Sequence, residues 1–250
     1  MRDAIPPSQR LSITLPYLAT GNPFEDLKLT SAVSPQSIGI ILLETCSAII
    51  HSLKDCIKLP QKEAEWKAVD GKHVSIKKPP HKDAGIHGRI SDGGVLGYTA
   101  IGKALSEKLL QVPEPSLLPN SGKKLPFVFV GDDAFALTEN FRKPYRQTGL
   151  TTEKRIFNYR LSRARRVVKN AFGILGAKFD VFQRPIAVSP QKSQIIALAC
   201  CHLHNYLRKN QSQIYMTGNS IDVKDFELGN MVDGTWRTTG EATALQTTLS

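Results

Sequence analysis

Long apolar runs are missing from this 250-residue sequence, and Met1-Arg2-Asp3 leads into a polar, proline-containing stretch. Neither a membrane span nor the apolar core of a signal peptide is expected, so no membrane partner and no secretion. Cysteine is scarce: Cys46, Cys56, Cys200 and Cys201 include no C-x-x-C pair, and two are adjacent. That pattern speaks against a disulfide framework and for reduced thiols in nucleus or cytoplasm. Acid is also short, with 22 Asp and Glu against 33 Lys and Arg, a net charge of +11. The shortage is local. Between Phe141 and Lys178 eleven Lys or Arg face a single acid, Glu153, and the remainder of the chain is nearly neutral. Positive charge concentrated in one block points to a polyanionic partner, nucleic acid first and anionic membrane second. The plainer alternative is a solvated helix face without a partner.

What is present suffices for one substantial core or two smaller ones, since 41% of the residues are hydrophobic. The first 58 residues read as helical. Ser8 to Leu18 forms a first helix closed by Thr20-Gly21-Asn22, a short second helix opens at Pro23-Phe24-Glu25, and Ser34-Pro35 caps a longer third. In that third helix Ile38, Ile41, Leu42, Thr45, Ile49, Ile50 and Leu53 recur at three- and four-residue steps, which predicts a buried stripe. The order also suits a helix-turn-helix reader, although few basic residues accompany it. Residues 69–76 read as a strand broken at Asp70-Gly71, Ser91-Asp92 as a cap for a helix over 95–110, and Leu125 to Val130 as a buried strand of a parallel or mixed sheet. A long basic helix follows Thr151-Thr152-Glu153, with Phe157, Leu161, Ala164, Val168, Ala171, Phe172 and Leu175 as its apolar stripe. Ser162, Arg165, Arg166, Lys169 and Gly173 share an adjacent face. A last helix is expected over Ser193–Lys209. Residues 210–250 are polar, without periodicity, and are expected to form a poorly ordered tail.

Two carboxylates sit where a phosphodiester-cleaving metal site would need them: Asp70 within a strand-like segment and Asp132 directly after a strand. Hard cations such as Mg²⁺ or Mn²⁺ take oxygen ligands, and a metal pair can hold both the attacking and leaving oxygens. Asp92 is a third candidate, with a helix-cap role as its alternative. Cys200, Cys201, His202 and His204 offer a rival metal cluster, but helical spacing scatters them around the axis.

Several segments together, in order, resemble a known family. They are Val69-Asp70-Gly71-Lys72-His73-Val74, Ser91-Asp92-Gly93-Gly94-Val95, Val130-Gly131-Asp132-Asp133-Ala134-Phe135-Ala136-Leu137, Lys143-Pro144-Tyr145, the run from Phe157 to Val168, Ala171-Phe172-Gly173-Ile174-Leu175 and Leu203-His204-Asn205-Tyr206-Leu207. They look like the signature blocks of Harbinger-type (P-instability-factor-like) DDE transposases and the nuclease-like proteins domesticated from them. The resemblance implies an α/β fold: a small helical N-terminal region over 1–58, an RNase H-like DDE domain over 59–209, here incomplete, and the tail. It further implies Asp70 and Asp132 as metal-binding catalytic acids, a divalent cation (Mg or Mn), DNA as substrate, a nuclear location, and a separate DNA-binding partner protein. Arg160, Arg163, Arg165, Arg166 and Lys169 are the expected DNA contacts.

Two departures stand out. Where the family places its third acid, a glutamate, this chain has Lys169. An ammonium about 5 Å from a dication would be repelled by roughly 6 kcal/mol at an effective dielectric near 20, and it could instead replace the metal by pairing with Asp70 and Asp132. Between Lys78 and Gly88, moreover, a family segment with an Asn-Tyr-Lys-Gly-like motif and two strands is missing. Both departures predict a nuclease ancestor whose cleavage is impaired, with a non-catalytic DNA-binding or protein-interaction module built on helix 154–178 as the alternative function.

Overall fold

The computed structural model describes residues 4–58, 74–75, 100–107, 109, 112–117, 122–216, 219–224 and 231–237. The helices are α1 (Pro7–Thr20), α2 (Phe24–Ser31), α3 (Pro35–Ser52), α4 (Ala100–Ser106), α5 (Thr152–Lys178), α6 (Pro190–Asn210) and the single turn α7 (Ser212–Tyr215). Among the described residues the strands are two residues each and pair in twos. The hairpin β1 (Ser116–Leu117) with β2 (Lys124–Leu125) is antiparallel, β3 (Phe129–Val130) with β4 (Phe141–Arg142) is parallel, and β5 (Val223–Lys224) with β6 (Met231–Val232) is antiparallel. No single described helix is long and apolar enough to cross a membrane.

Two compact units interleave along the chain. One comprises Met1–Lys58, His73–Lys78 and Asn170–Ser250, the other Leu59–Lys72 and Pro79–Lys169. Its start signals explain α3: the Ser34 hydroxyl accepts from the Ser37 N–H at 3.2 Å and Pro35 occupies the first turn, where no N–H is needed. The α3 stripe Ile38, Ile41, Leu42, Thr45, Cys46 and Ile49 is buried. It packs in one core with Ile13 and Leu18 of α1 and Ile196, Ala199 and Cys200 of α6. So α3 is a packing helix, and it carries no Lys or Arg at all. All four cysteines are free thiols, and burial pushes the Cys46 thiol up to about 12.

The histidines of α6 serve this core. His202 Nδ1 donates to the Leu53 carbonyl at 2.9 Å and Asn205 Nδ2 to the Cys56 carbonyl at 3.1 Å, so residues three apart close the end of α3. His204 Nδ1 lies 2.8 Å from the Tyr215 hydroxyl. Cys200, His202 and His204 therefore face different neighbours, as their helical spacing implies.

Burial, assisted by Arg208, pushes His204 down to about 4. In the unfolded chain it would protonate near the ordinary 6.5, so the folded state binds fewer protons and loses stability as pH falls from about 6.5 toward 4. The loss is expected to reach about 2 kcal/mol between pH 7 and pH 5. Urea midpoints at both pH values for the native protein and His204→Phe provide the check: the variant should lack that increment, and identical pH dependence would contradict it.

Residues 210–250, expected as a polar tail, contribute an ordered strap over 219–224 and 231–237. Asp222 is only 6% exposed. Its Oδ1 accepts from Gly234 N–H and Arg237 Nε–H, both at 2.9 Å, and its Oδ2 accepts from Arg237 Nη2 at 2.6 Å. Asn170 Oδ1, on α5, accepts from the Asp222 N–H at 3.2 Å and from Trp236 Nε1 at 3.1 Å. The Trp236 ring lies on Gly173, where a Cβ would stand 2.4 Å from ring atoms. Any side chain at 173 would lift the tryptophan away.

Candidate active site and nucleic-acid face

The segment that positions Asp132 is built from aromatics and one glycine. Phe129, Phe135 and Phe141 form a small buried cluster, with Phe141 ring centroids 6.3 and 4.9 Å from those of Phe129 and Phe135. Between them runs Gly131, where a Cβ would meet the Phe141 ring at 2.5 Å and the Phe135 ring at 2.7 Å. Only glycine lets β3 pass this close. The ladder is closed by Phe129 N–H to Asn140 O at 2.8 Å and Gly131 N–H to Arg142 O at 3.0 Å. Asp132 thus leaves the end of β3 at a fixed place, as expected from the sequence. The strand itself is shorter than the expected run over 125–130. Pro126 has no N–H to offer, so Lys124–Leu125 pairs with β1 on one side of it and Phe129–Val130 with β4 on the other.

Asp132 Oδ1 accepts from the Ala134 N–H at 3.0 Å, and Oδ2 lies 3.6 Å from Arg165 Nη2, with the two side chains 18% and 10% exposed. The cation facing this carboxylate is therefore Arg165. Its place on the helix explains the pairing: Arg165 is four residues after buried Leu161 and three before half-buried Val168, inside the inward stripe, whereas Ala164, assigned to that stripe from sequence, is exposed. Arg160 and Arg163 are exposed, and Arg166 and Lys169 half-buried. Asp70 and Asp92 lie outside the described residues.

The start of α5 is tied to the same unit by Asn158. Its Oδ1 accepts from the Tyr145 N–H at 2.8 Å, and its Nδ2 donates to the Tyr145 carbonyl at 2.9 Å. The Tyr145 ring packs edge-on against Phe157, centroids 5.3 Å apart, with Lys154 Nζ 5.2 Å from the Tyr145 centroid. Lys143 Nζ reaches Asp133 Oδ1 at 3.7 Å. Two of the sequence blocks, Lys143-Pro144-Tyr145 and the basic run from Phe157, thereby meet in space.

Among the described residues no group of three or more His, Cys, Asp or Glu is arranged to hold a metal ion. At Asp132 the described donor set is one carboxylate, already bonded to a backbone N–H and faced by a guanidinium. A divalent cation needs several oxygen ligands, of which the described residues supply this one carboxylate, while Asp70 lies outside them.

The model of the DDE superfamily endonuclease family matches residues 77–205, just over half of the chain. Asp132, the whole of α5 and most of α6 fall inside the match; Asp70 and α1 to α3 fall outside it. No curated protein and no solved structure matches the chain. The family typically uses divalent metals and implies a DNA substrate, and the mixture of helices and small sheets is compatible with an α/β DDE domain. The chain belongs to the DDE superfamily endonucleases, as a transposase-derived, nuclease-like protein.

Proposed function

We propose that this chain descends from a Harbinger-type transposase of RNase H-like fold and holds DNA without cutting it. The observation that carries this reading is the character of α5 beside Asp132. The helix turns Arg165 toward the carboxylate, and its acid, Glu153, stands twelve residues earlier, about 18 Å along the axis. Metal-assisted displacement at a phosphodiester needs carboxylates converging on cations. Lys169, at the position where the resemblance places a glutamate, adds a further positive charge, and residual Mg²⁺ or Mn²⁺ chemistry at Asp70 and Asp132 is correspondingly disfavoured.

Binding falls to the cations of α5, with Arg160 and Arg163 exposed and Arg166 and Lys169 at the margin. Target choice would come from a separate DNA-binding partner protein, because α3 offers no Lys or Arg to read bases. The nucleus is the compartment this role requires. Nicking of supercoiled plasmid with Mg²⁺ or Mn²⁺ tests the proposal on the native protein, Asp132→Ala and Lys169→Glu. The native protein should nick no faster than Asp132→Ala. Native nicking that Asp132→Ala abolishes would overturn the claim, while nicking gained by Lys169→Glu would identify the lysine as the lesion.

A further inference from the structure

The run Ala-Val-Ser-Pro-Gln occurs twice, at 32–36 and at 187–191, and holds the two Ser-Pro pairs of the sequence. In both copies the proline opens a helix, α3 or α6, and the serine before it is extended, with φ −65° and ψ 147° at Ser34 and φ −60° and ψ 157° at Ser189. Their surroundings differ. The Ser34 hydroxyl is occupied, accepting from the Ser37 N–H at 3.2 Å and donating to the Ser37 hydroxyl at 2.9 Å, and Pro35 is half-buried. The Ser189 hydroxyl makes no capping bond, and Ser189, Pro190, Gln191 and Lys192 are all exposed. Just before them the chain alternates. Ile186 is buried, with its N–H donating to the Ser75 carbonyl at 2.9 Å, and Val188 packs against the same core, while Ala187 and Ser189 face solvent. The third residue after the serine is Ser37 in one copy and Lys192 in the other.

Ser189 is thus an outward, extended serine with an unengaged hydroxyl, followed by a residue without an N–H and then by a cation, which is the substrate form a proline-directed protein kinase requires. We infer that Ser189 is a phosphorylation site for such a kinase, of the kind that favours a basic residue three positions after the serine. In the transfer, Ser189 Oγ bonds to the γ-phosphorus of a nucleoside triphosphate and the bond from that phosphorus to the bridging oxygen breaks. The nucleoside diphosphate leaves with the electron pair, and the hydroxyl proton passes to the kinase's base. The product carries about two negative charges directly before α6. First-turn N–H groups lack partners within a helix, so the phosphate tightens the start of the helix that carries Ile196, Ala199 and Cys200 into the core.

The full chain, Ser189→Ala, Ser34→Ala and Lys192→Ala are to be incubated with a purified proline-directed kinase and Mg-ATP, with the phosphate located by mass spectrometry. Thermal midpoints establish that each protein is folded beforehand. The native protein and Ser34→Ala should take up a single phosphate at Ser189, and Ser189→Ala should take up none. Lys192→Ala should be labelled about tenfold more slowly, having lost one charge-assisted contact to the kinase. Amide exchange at Gln191 and Lys192 should slow at least about fivefold in the phosphorylated protein. Uptake at Ser34 as fast as at Ser189, labelling of Ser189 only after heat unfolding, or a native rate in Lys192→Ala would overturn the assignment. Exchange unchanged by the phosphate would overturn its effect on α6.

Discussion

Reversing the charge at Arg160, Arg163 and Arg166 to glutamate is expected to weaken duplex DNA binding at least about a hundredfold near 0.1 M salt and to flatten the dependence of log K on log salt by about 2 to 3. Phosphate contacts release condensed counterions, so each lost contact removes close to one unit of slope. These arginines are chosen because they lie on the exposed and half-buried side of α5. Arg165 is the internal control. It is 8% exposed and faces Asp132 at 3.6 Å, so Arg165→Gln should lower stability by leaving a half-buried carboxylate without its cation, yet barely move the salt slope. A slope untouched by the triple reversal, or moved as far by Arg165→Gln alone, would place the phosphate contacts elsewhere.

Arg237→Ala is expected to release the strap segments 219–224 and 231–237 from α5. The Asp222 side chain is 2% exposed and takes two of its hydrogen bonds from the Arg237 fork. Removing Arg237 takes two charge-assisted hydrogen bonds from a buried carboxylate, at a cost of about 3–5 kcal/mol. The contacts that survive include the Gly234 and Asn170 hydrogen bonds and the packing of Trp236 on Gly173. Amide exchange across the strap should accelerate at least about a hundredfold, with smaller changes in α3 and α6, because local openings track the contacts they break. Arg237→Lys retains the charge but loses the two-pronged geometry and should fall between the native protein and the alanine variant. Exchange in the strap unchanged by Arg237→Ala would mean the Asp222 clamp is not what holds it.

The helices were legible because their signals are local. Ser34-Pro35 marks the start of α3, and the three- and four-residue recurrence of Ile38 to Ile49 fixes its buried side without reference to any other part of the chain. The place of Asp132 just beyond a strand was legible for the same reason, since the apolar run ends at Val130, two residues before it. What the sequence hid depends on long-range or exceptional contacts. Arg165 fits the inward stripe by position, but a periodicity search that treats arginine as a surface residue selects Ala164 instead. Its placement between Leu161 and Val168 was the available signal. The strap was hidden because Asn170, Asp222, Trp236 and Arg237 are brought together across as many as 67 residues and show no period. The break at Pro126 was legible in principle, because a residue without an N–H does not continue a central strand. Asp70 and Asp92 lie outside the described residues.

The most direct test of the central claim, that an arginine-faced Asp132 no longer anchors a divalent cation, is Mn²⁺ titration followed by electron paramagnetic resonance on the full chain, with Asp132→Ala alongside. Free Mn²⁺ signal should decline equally in both proteins. One equivalent of bound Mn²⁺ in the native protein that disappears in Asp132→Ala would contradict the claim and restore this carboxylate to a metal site.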